Sequence, residues 1–193
     1  MIPLTPRLQQ AINLATKLHD GQTRKGDGLP YILHPFSVAW LLASRDCDED
    51  VVIAGLMHDV LEDVPEYSFV ELEKDFGEKI ARIVKDVSED KDPRIQEDEK
   101  ATWLERKRKY LEHLAGAQSD ALLVSAADKL HNLRSMRSAY ATQGPSMWEK
   151  FNSPLSKRLW FYEEVLGILQ ARLESSLVEE LESELAQFQK DLA

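Results

Sequence analysis

Apolar residues in this chain recur at three- and four-residue steps almost from end to end, and no stretch of convincing length alternates as a half-buried strand would. That spacing leaves helices as the means of burying a core, and it predicts an all-α, single-domain fold. Local punctuation agrees. In TPRLQQAINLATKLHDG, Thr5 is placed to cap a helix, Pro6 takes its first position and Gly21 stops it. A basic, glycine-containing loop follows, QTRKGDGLPYILHP, and a second helix is expected from Pro35 through FSVAWLLAS. A third is expected from Asp48–Asp50 to just before Pro65, since acids suit a helix N-terminus. Ser68 and Glu71 have capping-box spacing ahead of FVELEKDF. EKIARIVKDVSE is amphipathic, whereas DKDPRIQEDEK reads as a polar loop. KATWLERKRKYLEHLAG and the very apolar SDALLVSAADKLHNLRSMRSA are read as helices, ATQGPSMWEKFNSP as a loop, and the chain turns helical again from Leu155. A last stripe, Leu173, Leu177, Leu181, Leu185, Phe188 and Leu192, suits a helix folded back on the domain or a contact with a second copy of the chain.

Composition narrows the function classes. A net charge of -10 argues against a general nucleic-acid or membrane-surface binder. It leaves room for a small anionic substrate where positive charge is locally concentrated. No apolar run approaches the roughly 20 residues a bilayer requires, and MIPLTPRLQQ lacks the pattern of a signal peptide. Cys47 is the only cysteine, so no intrachain disulfide forms, which fits a reducing cytoplasm.

The chemistry is concentrated in GLMHDVLEDV. His58, Asp59, Glu62 and Asp63 crowd six residues of an otherwise apolar helix, the last two near an end where the helix dipole disfavours negative charge. Asp128 is a second anomaly, set in the apolar LLVSAADKL, where an isolated carboxylate is costly. It has to pair, with Lys129, Arg24 or Arg134 as candidates, or bind a cation. His34, immediately before Pro35, is the third. One divalent metal satisfies His34, His58, Asp59 and Asp128 together, and this mixed nitrogen and oxygen set suits manganese, iron or zinc better than calcium. Neighbours on one helix lie about 100° apart around its axis, close enough for His58 and Asp59 to reach one ion. Glu62 and Asp63 follow them by four residues each and share their helix sides. From there a carboxylate can orient or deprotonate an activated water. The plainer reading makes Glu62 and Asp63 solvated residues at a helix end.

This order of a His, then HDxxED, then an Asp in an apolar helix resembles the HD superfamily of metal-dependent phosphohydrolases, most closely the hydrolase domain of the RelA/SpoT family. The resemblance rests on His19–Pro35, Ala54–Val64, Phe76–Glu89, Glu105–Leu114 and Ser125–Met136, and extends roughly from Leu4 to Leu169. It implies an HD-type helical bundle over residues 1–173 with a helical extension over 174–193. It also implies His34, His58, Asp59 and Asp128 as metal ligands, with Mn²⁺ the usual ion, and Glu62 and Asp63 as catalytic acids. Arg24, Lys25 and Asn132 become nucleotide contacts, and Tyr31 lines the nucleotide pocket. The implied reaction removes pyrophosphate from the 3′ position of guanosine tetra- or pentaphosphate. Long-type members carry synthetase and regulatory domains that do not fit before Ala193, so a small stand-alone hydrolase is expected. Two other readings stay open: hydrolysis of adenosine alarmones or another nucleotide phosphoester, and a non-catalytic nucleotide-binding or partner-binding regulator. The two acids argue against the regulator, since a pure binder has no need of them. His131 reads as structural or peripheral, His19 and His113 are recruited by no spacing, Glu105–Lys109 reads as a solvated helix face with the pocket mouth as its alternative place, and Trp160, Phe161 and Tyr162 read as core. The loop 90–100 would bear on substrate choice if it overhangs the pocket.

Overall fold

The computed structural model describes residues 2–24, 28–89, 101–150 and 153–192, with Glu149 and Lys150 described as backbone alone. In chain order the helices are α1 (Pro6–Leu18), α2 (Leu33–Ala43), α3 (Glu49–Met57), α4 (Val60–Asp63), α5 (Phe69–Phe76), α6 (Glu78–Val87), α7 (Trp103–Gly116), α8 (Ser119–Gln143), a 3-10 helix (Gly144–Lys150), α9 (Leu155–Arg172) and α10 (Ser176–Asp191). The described residues contain no strand beyond an isolated antiparallel bridge between Thr23 and Pro30, and none of their helices is long and apolar enough to cross a membrane. The fold is all-α, as the periodicity requires.

Helix α8 organises the bundle. It packs against α2, α3, α6, α9 and α10. Ala121, Leu122, Val124, Ala126, Ala127, Leu130 and Leu133 are fully buried along it, as expected of a helix that is apolar on most sides. The predicted caps form: the Thr5 hydroxyl accepts from the Leu8 amide at 3.1 Å, and Ser68 and Glu71 make a complete capping box. Arg7 ties α1 to the rest, donating to Asp50 Oδ1 at 2.5 Å and to the Phe76 carbonyl at 2.7 Å.

Three boundaries differ from the sequence reading. The helix expected from Asp48 to Pro65 is interrupted: α3 stops at Met57, and His58 and Asp59 form a turn before α4. The His58 ring nitrogen Nδ1 lies 2.9 Å from the Gly55 carbonyl. A side chain that takes a backbone carbonyl competes with the helical ladder, and Asp59 sits at φ -94, ψ -7, close to the bridge region. Glu62 and Asp63 therefore belong to a new four-residue helix, too short for a macrodipole that opposes them. Helix α2 starts two residues before Pro35, which the first turn tolerates because its amides have no helical partners. Helix α8 runs on to Gln143 through part of the expected loop, ends at Gly144 with φ 63, and the 3-10 turn after it buries Met147.

The last leucine stripe is folded back within the chain. Leu177, Leu181, Leu185 and Phe188 are buried, and α10 packs on α8 and α9. A ladder of ion pairs fastens it: Arg134 Nη2 to Glu180 at 2.8 Å, Arg137 Nη1 to Glu184 at 2.8 Å and Arg137 Nε to Asp191 at 2.6 Å, with Arg45 also on Glu180.

Two expectations follow. Helices α2 and α3 meet across Gly55, where a Cβ would stand 2.5 Å from Leu42 Cδ1 and 3.4 Å from Val38 Cγ1. Gly55→Val should destabilise the fold by about 1–3 kcal/mol through overpacking, while Gly55→Ala costs less because the Leu42 methyl can turn aside. Thermal melts of both variants check this, and a valine variant as stable as the parent would refute the close approach. The α10 ladder should weaken in acid. Hydrogen bonds from Arg137 and Gln187 hold Asp191 below its ordinary value; at Glu180 partial burial pushes up, but Arg45 and Arg134 outweigh it. A carboxylate depressed in the folded state stabilises fully above its unfolded pKa of about 4 and loses that contribution as pH falls through the folded value. An Arg134→Gln, Arg137→Gln variant should melt a few degrees lower at pH 7, and the gap should narrow as pH falls below the unfolded value of about 4.

Candidate active site

Four polar side chains from three distant segments converge inside the bundle. His34 comes from the first turn of α2, His58 and Asp59 from the turn after α3, and Asp128 from the middle of α8. His34 and His58 are 2 % and 3 % exposed, and Asp128 is 7 %. The Nε2 atoms of the two imidazoles are 3.1 Å apart. Asp59 Oδ2 lies 3.4 Å from His34 Nε2 and 3.1 Å from His58 Nε2. Asp128 Oδ1 reaches the same two nitrogens at 3.2 and 3.8 Å. His34, His58 and Asp59 form the tightest group, one ligand atom from each within 4.8 Å of the others, and Asp128 adjoins it through both imidazoles. An ion about 2.1 Å from each ligand atom would space neighbouring ligands by about 3.0 Å at right angles and about 3.4 Å at tetrahedral angles. The separations fall in or near that range, so these atoms can serve as corners of one coordination shell.

Each of the four is oriented by a second contact, as metal-binding side chains usually are. His58 Nδ1 donates to the Gly55 carbonyl, which leaves Nε2 as the lone-pair nitrogen facing the cluster. His34 Nδ1 lies 2.7 Å from His131 Nδ1; donation from His34 to His131 frees His34 Nε2 in the same way. Tyr31 donates its hydroxyl to Asp59 Oδ2 at 2.6 Å. Asp128 is held on both oxygens, by Lys129 Nζ on Oδ2 and by Asn132 Nδ2 on Oδ1, each at 2.5 Å. Arg24 extends the set, donating to Asn132 Oδ1 at 3.1 Å and lying 3.5 Å from His131 Nδ1.

The electrostatics follow from burial opposed by close charge. Burial favours neutral carboxyls, but His58 and His34 hold Asp59 well below the usual range, and Lys129 with the two imidazoles does the same for Asp128. Burial likewise disfavours a charged His58, yet the charge of Asp59 and the bond to Asp128 raise it well above its ordinary value, so a cation that binds at Nε2 takes the place of a proton there. Tyr31 is raised by burial and then by Asp59 and Asp63, which keeps it a donor. His131 is pushed down to about 3 by burial and by the neighbouring His34 and Arg24, so it is a neutral acceptor for both. The site is built for two ionised carboxylates balanced by cationic charge.

Glu62 and Asp63 are half-buried at the end of α4. Glu62 Oε1 accepts the Glu89 amide at 2.7 Å, and the Asp63 carbonyl accepts Gln22 Nε2 at 3.0 Å. Gln22 in turn meets His19 Nδ1 at 2.7 Å. Of the expected nucleotide contacts, Arg24, Tyr31 and Asn132 border the cluster, while Lys25 lies outside the described residues, as does the loop 90–100. Sequence reasoning set His131 aside as structural or peripheral, yet it bonds a cluster histidine; its position three residues after Asp128, on one side of α8, was the available signal. Part of Glu105–Lys109 is likewise not a solvated face: Arg106 and Lys107 pair with Glu89 at side-chain exposures of 12 % and 18 %. Phe161 and Tyr162 are buried in the core, as expected.

Comparison with known proteins agrees with this geometry. A profile described as HD domain matches residues 11–156. The guanosine-3′,5′-bis(diphosphate) 3′-pyrophosphohydrolase MESH1 of Danio rerio is 39 % identical over 136 residues, covering 68 % of this chain and 70 % of that protein. The bifunctional (p)ppGpp synthase/hydrolase SpoT of Escherichia coli K12 is 38 % identical over 133 residues, which span 68 % of this chain and 18 % of that protein. Among solved structures, a metazoan ortholog of SpoT, described as hydrolysing ppGpp and playing a role in starvation responses, superposes with a TM-score of 0.77 at 28 % identity and 97 % coverage of both chains. A Listeria monocytogenes EGD-e protein superposes with a TM-score of 0.69 at 27 % identity, covering 81 % of this chain and 99 % of that one. With the profile and the MESH1 relative agreeing over most of its length, the chain belongs to the HD-domain family.

Proposed function

We propose that the protein is a metal-dependent hydrolase that removes the 3′-pyrophosphate from guanosine tetra- and pentaphosphate. The observation that carries this reading is the meeting of His34, His58, Asp59 and Asp128 at separations of 3.1 to 3.8 Å. The choice of a guanosine alarmone draws on the relatives named as 3′-pyrophosphohydrolases of guanosine-3′,5′-bis(diphosphate). In this reading the four side chains hold one divalent cation; a mixed imidazole and carboxylate set suits manganese, iron or zinc better than calcium, and manganese among them is the ion that the family resemblance implies. That cation supplies Lewis-acid polarisation of a phosphoryl oxygen and of the attacking water.

The chain's own groups do the rest. Glu62 and Asp63, one short helix beyond the ligands, align the water and take its proton as its oxygen attacks the phosphorus bound to the 3′ oxygen. The bond from that phosphorus to the ribose oxygen breaks, the ribose oxygen gains a proton, and pyrophosphate departs. Arg24 and Lys25 offset the substrate's negative charge with positive charge that a chain of net charge -10 supplies only locally. Asn132 lies beside the ribose, and Tyr31 both orients Asp59 and walls the nucleotide pocket.

Dialysis against a chelator should abolish pyrophosphate release, and Mn²⁺ should restore it; full turnover in the stripped protein would sink the metal reading. Asp128→Ala should lose bound metal, as elemental analysis reads directly. Glu62→Gln and Asp63→Asn should each lower kcat by about 10²-fold or more while keeping the metal, in line with the usual worth of a general acid or base. A protein that binds the nucleotide tightly yet shows no turnover, with or without these substitutions, would instead be a binding regulator.

A further inference from the structure

Glu89 lies immediately after α6 and its C-cap Ser88, and it is held from both sides. Its backbone N–H donates to Glu62 Oε1 at 2.7 Å. Its carboxylate, only 7 % exposed, accepts from Arg106 Nη1 at 2.6 Å and from Lys107 Nζ. Both cations sit in the first turns of α7, and they are themselves fixed. Arg106 Nε reaches the Thr102 hydroxyl at 3.3 Å. The Lys107 ammonium stands 4.5 Å above the ring of Phe161, a buried residue that packs edge-on against Tyr110 and Trp103.

A carboxylate withdrawn from water to this degree is costly unless it is paired. Among the described residues it pairs with two cations on one helix, which pins Glu89 to α7. The amide that Glu62 uses belongs to the pinned residue. Glu62 is on a four-residue helix and has three side-chain torsions to fix, a substantial entropy cost for a group that must hold one position. An amide donor with a fixed address removes much of that freedom before substrate arrives.

We infer that Glu89 is a positioning residue for the hydrolytic reaction: the Arg106–Glu89–Lys107 clamp holds the Glu89 amide in place, and the amide holds the Glu62 carboxylate toward the reacting water. This rests on the reading of Glu62 as a catalytic acid. Among the described residues the clamp meets Glu62 and none of the four candidate metal ligands, so its effect should appear in kcat and depend on Glu62.

The test is a double-mutant cycle on the full chain with Mn²⁺, using Glu89→Gln, Glu62→Gln and the double variant, and reading kcat, KM, bound metal and thermal midpoint for pyrophosphate release from guanosine tetraphosphate. Glu89→Gln alone should lower kcat about tenfold with KM and metal content close to the parent's, and in the Glu62→Gln background it should change kcat by less than about twofold. An equal loss in both backgrounds would mean a general structural role and overturn the inference, as would an unchanged kcat for Glu89→Gln in the Glu62 parent. If Glu62→Gln itself turns over like the parent, the catalytic reading of Glu62 fails and takes the inference with it, a result distinct from either of the others. Should Glu89→Gln not fold, Arg106→Gln loosens the same clamp from α7 and enters the same cycle with the same expected coupling.

Discussion

Bringing two carboxylates and two imidazoles together in the interior is the demand around which the rest of this fold is arranged. Asp128 and the two histidines are nearly closed to solvent, and charged groups so placed are tolerated only with opposite charge at contact distance. The demand explains features that otherwise look unrelated. Two small residues, Ala126 and Ala127, immediately precede Asp128 on α8. Gly55 lets α2 and α3 approach closely enough for His34 to meet His58. The His58 ring takes the Gly55 carbonyl and turns the chain at that point, so one glycine serves both the helix contact and the aim of the imidazole.

Helix α8 shows how a strongly acidic chain places its few cations. Asp128, His131 and Asn132 lie on one side and make every contact that α8 offers to the cluster. Lys129, at the edge of that side, neutralises Asp128 while its ammonium rests 4.7 Å over the ring of Tyr110. Arg134 and Arg137, further along, turn to the acids of α10. Leu130 and Leu133 fill the core between them. The cations of α8 thus serve two addresses, the site and the α10 seam, and a net charge says little about either.

Much of this was legible in the sequence, and the reasons differ by residue. The caps at Thr5 and Ser68 are local chemistry and appear where expected. His34, His58, Asp59 and Asp128 stood out because each breaks the apolar pattern around it, and residues that break local rules tend to be functional. The turn at His58 was not legible, since a ring that prefers a backbone carbonyl to the solvent leaves no trace in spacing. His131 had a visible offset from Asp128, but only the tertiary crossing of α2 and α8 puts His34 against it. Arg106 and Lys107 were hidden for the opposite reason. A run of charges is usually solvated, and nothing in Glu105–Lys109 announces that Phe161, more than fifty residues later, lies beneath Lys107.

The segment between α1 and α2 joins recognition to chemistry. It is anchored at three points that belong to different parts of the site: Tyr31 to the carboxylate of Asp59, Gln22 to the carbonyl of Asp63, and Arg24 to Asn132 on α8. The His19 ring also packs against Tyr31, and Thr23 bridges to Pro30. A binding loop on a separate hinge could admit a nucleotide without disturbing the ligands. This one cannot shift without moving the hydroxyl that orients Asp59 or the bond that holds the backbone beside the acids. Tyr31, Arg24 and Asn132 are therefore linked by hydrogen bonds to the candidate metal ligands Asp59 and Asp128, so that, on the proposed function, a nucleotide held by the first group would bear directly on the geometry of the second.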